Sequence, residues 1–169
     1  MCSLPIGLSN PNMKWIRRHR FLVLILLPTL FVNGEVVGQQ IQDFDDFGDI
    51  NCEDEWARLD NFAIQLQRSP HARGYIVFYG GRLFRGRLPK RGEAAARAAR
   101  MKPYLVKVRG IPSKRVIVVD GGYKDSWTAE LWIVSPGASA PVPVSLIPKS
   151  RIKFGKGRVT ARFRCHSLE

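Results

Sequence analysis

Tyr75-Ile76-Val77-Phe78-Tyr79, closed by Gly80-Gly81, is a run of β-branched and aromatic residues ended by a glycine turn, the pattern of a buried strand. It opens the stretch from Gly74 to Pro136, from which the fold is read. Arg91 to Val108 is alanine-rich, and Ala94, Ala98, Met101 and Leu105 recur at i, i+4, i+7 and i+11, one face of a helix. Pro103 should kink that helix, and Gly110 is its expected C-cap. Arg115 to Asp120 reads as a second strand closed by Gly121-Gly122, and Thr128 to Val134 as a third, ended before Pro136. Strand, helix, strand, strand predicts an α/β (α+β) two-layer sandwich, with helices on one face of a mixed sheet.

Working outward toward the N-terminus, Glu53 to Gln67 places Trp56, Leu59, Ala63 and Leu66 on one stripe, the signature of an amphipathic helix. Glu53, Asp54 and Glu55 crowd its first turn, where the helix dipole favours anions, and Ser69-Pro70 stops it. Residues 39–51 are polar and acidic, with Asp43, Asp45, Asp46 and Asp49 interrupted by Phe44 and Phe47. This segment reads as a flexible leader, either a solvated linker or an intramolecular counter-ion folded back on the basic domain. On the C-terminal side, 137–148 is a Pro-rich connector. Arg151 to Phe163 alternates around Gly155-Lys156-Gly157 as a β-hairpin with a charged face. The element order expected is α-β-α-β-β plus this hairpin, in one domain over 52–165.

Residues 1–38 have the form of an export signal. Lys14, Arg17, Arg18 and Arg20 precede the apolar run Phe21 to Val32, and Val36-Val37-Gly38 supplies small residues for cleavage. The alternative is an uncleaved anchor, but the run is short for a span of about 20 residues and contains Pro28. Export leaves two cysteines, Cys52 and Cys165, near the two ends of the domain. In an oxidising compartment a disulfide between them is expected over two free thiols.

The chain of 169 residues has a net charge of +13, which implies an anionic partner or a strongly solvated surface. Much of the charge lies in Arg82, Arg85, Arg87, Lys90 and Arg91, a basic loop with Leu83, Phe84 and Leu88 between the cations. This loop is the first candidate binding surface, with solvation as the alternative. Catalytic motifs are missing: the chain contains no G-x-S-x-G, H-E-x-x-H or Walker loop. Asp120, Asp125 and Glu130 are the carboxylates an enzyme could use, and Asp120, at a strand end before glycines, reads better as a turn former. No C-x-x-C or paired histidine spacing indicates a metal, and no cofactor is expected. Export argues against a specific nucleic-acid partner.

Arg97-Ala98, Tyr104-Leu105, Gly110-Ile111 and Arg115-Val116 resemble the outer-membrane protein A C-terminal-like family. In that family a G-H-T-D motif ends a strand, and an N-x-x-L-S-x-x-R-A-x-x-V-x-x-Y-L helix follows, then G-I and an R-I strand. The resemblance covers residues 53–134. It implies a peptidoglycan-binding fold in which the motif Asp holds the ammonium of diaminopimelate and the helix Arg its carboxylate. Arg97 fills the Arg slot, but Arg82 stands at the Asp slot, and Lys90, Glu93 and Ala94 stand at the Asn and Leu-Ser slots. The diaminopimelate clamp is therefore expected to be lost. Arg97 and Tyr104, two turns apart on one helix face, are expected to serve a net anion instead.

The resulting expectation is an exported, non-enzymatic cell-envelope domain that associates with a cell-wall polymer or another anionic envelope component. A secreted protein that grips an acidic protein or polyanion through the basic loop is the second reading. A hydrolase with an unrecognised site is the third.

Overall fold

The computed structural model describes residues 41–159. The expected export signal, Cys165 and the second arm of the expected hairpin beyond Val159 lie outside the described residues. The elements are β1 (Ile41–Phe47), α1 (Cys52–Arg68), β2 (Arg73–Gly80), α2 (Glu93–Ala98), α3 (Met101–Lys107), β3 (Val116–Tyr123) and β4 (Thr128–Val134). They form an α+β fold around one mixed sheet of order β1-β4-β2-β3. β2 and β3 run parallel, and β4 is antiparallel to both β1 and β2.

The central strand β2 is buried along all but its first residue, as its composition requires. Side chains alternate across a strand, so Gly74, Ile76 and Phe78 share one face. Helices cover that face. A Cβ at Gly74 would stand 2.7 Å from Leu66 and 2.8 Å from Phe62. Ile76 packs in a core with Leu59, Phe62 and Leu66 of α1 and Met101 and Leu105 of α3. Asn51 caps α1 by accepting from the Asp54 N–H at 2.8 Å. The other end of α1 and the turn after it are held by Arg115, which donates to the carbonyls of Leu66, Ser69 and Ala72 at 2.7–2.9 Å. Arg115 thus belongs to a short 3-10 turn, and β3 begins at Val116.

Four sequence expectations are corrected. First, the segment expected to be a flexible leader contains β1, the edge strand paired with β4. Phe44 and Phe47 reach the core while the aspartates take other sides. The register shifts between Asp43 and Asp45, and Asp45 pairs with Arg58 at 2.5 Å. Secondly, the helix expected over Arg91–Val108 is two helices, α2 and α3, separated at Ala99-Arg100. Pro103 has no N–H to donate to Ala99, and its ring crowds that carbonyl, so the helix breaks rather than bends. Gly110 does sit in the left-handed region, at φ 71°, beyond the end of α3.

Thirdly, Gly121-Gly122 does not close β3, which runs on to Tyr123. These glycines make room for close packing: a Cβ at Gly121 would lie 2.4 Å from the Tyr79 ring, and one at Gly122 2.6 Å from Ser145 Oγ. Gly121→Ala is therefore expected to destabilise the fold by about 1–3 kcal/mol through overpacking. An unchanged denaturant midpoint for that variant would contradict this packing. Fourthly, the first arm of the expected hairpin, Ile152 to Phe154, is not a strand. The segment pairs with the 88–92 loop instead: Gly155 N donates to Pro89 O at 3.0 Å and Val159 N to Arg91 O at 2.9 Å.

The face of the sheet away from the helices centres on Tyr79. Its hydroxyl donates to Glu130 at 3.2 Å, and Glu130 also accepts from Lys124 at 2.5 Å and Trp132 at 3.2 Å. The Pro-rich connector reaches this face, with Val144 N donating to Tyr79 Oη at 3.4 Å and Ile147 N to Tyr123 O at 3.1 Å. Cys52 opens α1.

Candidate functional site

Parallel β2 and β3 place their carboxyl ends side by side, the usual position for a ligand crevice in a sheet with parallel strands. A cavity of about 200 Å³ lies there, with Gly80, Asp120, Tyr123, Trp127, Lys149 and Phe154 in its lining. The basic loop and α2 also line it, through Phe84, Lys90, Glu93 and Arg97.

The basic loop is folded on itself. Phe84 and Arg87 exchange backbone hydrogen bonds at 2.8 and 3.1 Å across Arg85-Gly86. Both central residues have positive φ, 49° and 74°, the geometry of a tight hairpin turn. Arg85 donates to Asp49 at 2.7 Å. Arg87 grips Glu93 through two nitrogens at 3.0 and 2.6 Å. Glu93, only 2% exposed, also accepts from the Lys90 N–H at 2.8 Å. Arg82 faces Asp125 at 3.3 Å in solvent.

Arg97, expected to grip a ligand carboxylate, is 4% exposed and already holds one, that of Asp49. Its guanidinium lies between the rings of Phe84 at 4.2 Å and Trp127 at 4.6 Å. Its Nε is buried without a hydrogen-bond partner among the described residues. The acid that answers Arg97 comes from the loop between β1 and α1, not from the loop before α2. The counter-ion reading of the acidic segment therefore describes Asp49 and Asp45, and the solvated-linker reading does not.

Tyr104 is not part of this site. The break between α2 and α3 removes the helix face it was expected to share with Arg97. Tyr104 stacks on Trp56 at 5.9 Å between ring centres, donates to Asp60 at 2.7 Å and accepts from Arg109 at 3.1 Å. It clamps α3 to α1, and Trp56 is half-buried in that stack rather than in the core.

Of the candidate cations, Lys90 and Arg91 remain outside any ion pair among the described residues. Arg91 lies over the Phe154 ring at 4.7 Å. They are joined by Lys149, which the sequence reading missed, and which the 3-10 turn Lys149–Arg151 delivers. Lys149 carries no spacing signal, because the Pro-rich connector before it has no periodicity. The carboxylate at this mouth beyond Glu93, among the described residues, is Asp120, which accepts from the Gly122 N–H at 3.0 Å within β3 and not at the strand end expected for it. Asp125 and Glu130 are engaged with Arg82 and Lys124. Among the described residues no group of three or more His, Cys, Asp or Glu is placed to hold a metal ion.

Burial alone would raise the carboxyls of Asp49 and Glu93, but hydrogen bonds from Arg85 and Arg97, and from Arg87 and Lys90 N–H, outweigh it. Both pKa values lie below their ordinary 3.8 and 4.5. Burial lowers the Arg97 pKa against the pull of Asp49. A depressed carboxyl contributes stability that is complete above its unfolded pKa and is lost as pH falls through the folded one. The urea midpoint is thus expected to hold from neutrality to the ordinary carboxylate range and to drop below it. Asp49→Asn should remove part of that drop, and an acid limb unchanged by the substitution would contradict the pairing.

The sequence matches no protein-family model and no curated protein.

Proposed function

We propose that this chain is an exported, non-enzymatic domain of the cell envelope, divergent from the outer-membrane protein A C-terminal-like peptidoglycan binders, and that it associates with an anionic envelope polymer. The observation that carries this reading is the mouth of the cavity at the carboxyl ends of β2 and β3. Lys90 and Lys149 line it, Arg91 lies over Phe154 of the same lining, and none of the three is in an ion pair among the described residues. Arg97 cannot be the anchor, because Asp49 takes the place a ligand carboxylate would need. The ligand is therefore read by the rim, as a polyanion is, through exposed charges that salt screens.

The second reading, an acidic protein gripped by the whole basic loop, loses support because Arg85 and Arg87 are committed to Asp49 and Glu93. A Cys52–Cys165 bridge in the oxidising compartment belongs to the same proposal. Co-sedimentation of the protein with purified sacculi at low and high salt is the test. Binding is expected at low salt, to be lost at high salt, and to be lost at low salt in Lys90→Glu/Lys149→Glu. Arg68→Glu, at the exposed end of α1, should keep it. Salt-resistant binding, or no binding at either salt, would overturn the proposal.

A further inference from the structure

A second concavity, of about 580 Å³, shares Phe78 and Ala95 with the cavity just described. Its volume falls in the range of small-molecule sites, about 300–1,000 Å³. It lies between α2–α3 and β3, on a floor of Phe78, Ala99, Pro103, Val106 and Val118. The helix break creates it. α3 turns Met101 and Leu105 into the core, which leaves Lys102, Pro103, Val106 and Lys107 as a second stripe one turn apart. Ala95 and Ala99 are too small to fill the space beside that stripe.

Lys102 and Lys107 stand in this lining, and no Asp or Glu does. Neither lysine is in an ion pair among the described residues. An apolar floor bordered by two ammonium groups complements a molecule with an apolar body and a negative head. Lysine stems also extend apolar surface while keeping the charge at the water boundary. We propose that this groove binds a single-chain anionic amphiphile, its alkyl chain on Phe78, Val106 and Val118 and its carboxylate at Lys102 and Lys107. The site is separate from the rim of Lys90, Arg91 and Lys149 and does not depend on that rim's ligand.

The test is a titration of the full-length protein with decanoate below its micelle concentration, followed by the methyl resonances of Val106 and Val118. Decanol serves as the uncharged comparator. Saturable shifts centred on these two valines are expected, with decanoate binding more tightly than decanol by about fivefold, as two solvent-screened ion pairs supply. Lys102→Gln/Lys107→Gln should abolish that preference while leaving decanol binding intact, and Ala99→Phe should block both ligands. The lysine variant changes only surface groups, so it keeps the test valid if Ala99→Phe fails to fold. Equal affinity for decanoate and decanol in the unsubstituted protein would overturn the proposal. So would shifts no larger at Val106 and Val118 than elsewhere, or a preference that survives loss of both lysines.

Discussion

Arg100→Ala is expected to destabilise the protein by about 3–5 kcal/mol, the cost of leaving a buried charge without its partner. Glu55 is 1% exposed in the first turn of α1, and Arg100 meets both of its carboxylate oxygens, the Nε contact at 2.7 Å. Arg100 sits at the break between α2 and α3, so this pair ties the break to the start of α1. Thermal unfolding should show a midpoint lower by about 10 °C or more, given a few degrees per kcal/mol in a domain of this size. The double variant Glu55→Gln/Arg100→Met should recover much of the loss, because it removes the uncompensated charge. A single variant that melts within a degree or two of the unsubstituted protein would show that Glu55 is not held by Arg100.

Arg97→Met is the second large effect, about 3 kcal/mol. It removes a buried ion pair with Asp49 together with cation–π contacts to Phe84 and Trp127, each worth about 1–2 kcal/mol when desolvated. Arg97→Lys should rescue little, because an ammonium has no planar face to lie between two rings and no fork to match the carboxylate. If Arg97 were a ligand-binding cation on a solvated helix face, the midpoint would move little in either variant. Denaturant titration of both variants checks this directly.

The parts of the fold that were legible in the sequence are those in which one periodicity dominates. β2 and β4 are apolar, β-branched runs, and the core stripe of α1 repeats at helical spacing, so burial and local pattern agree. β1 was not legible, because Asp43, Asp45 and Asp46 oppose strand propensity. It is held instead by pairing with β4 and by Phe44 and Phe47 in the core. Gly121-Gly122 carries a turn signal in any local reading. The Tyr79 ring and Ser145, 42 and 23 residues away along the chain by their numbering, together with the left-handed φ of 87° at Gly122, explain why the backbone needs glycine inside a strand.

The site was legible as a charge pattern and illegible as a set of pairs. Of the cations from Arg82 to Arg91, Lys90 lines the cavity, and which members are outside ion pairs depends on Asp49 and Glu93. Asp49 lies 36 residues before Arg85 and 48 before Arg97, a separation that no local pattern registers. Glu93 had a local signal, a carboxylate three residues after Lys90 that satisfies a backbone donor at a helix start.

Whether the anionic ligand is read by the cavity rim while Arg97 serves the fold is most directly measured by assaying melting and sacculus binding together on two variants. The account predicts that Lys90→Glu/Lys149→Glu melts with the unsubstituted protein and no longer co-sediments. It predicts that Arg97→Met melts well below it yet still co-sediments at temperatures where it is folded. An Arg97→Met protein of unchanged stability that has lost binding, beside a rim variant that keeps it, would contradict the account.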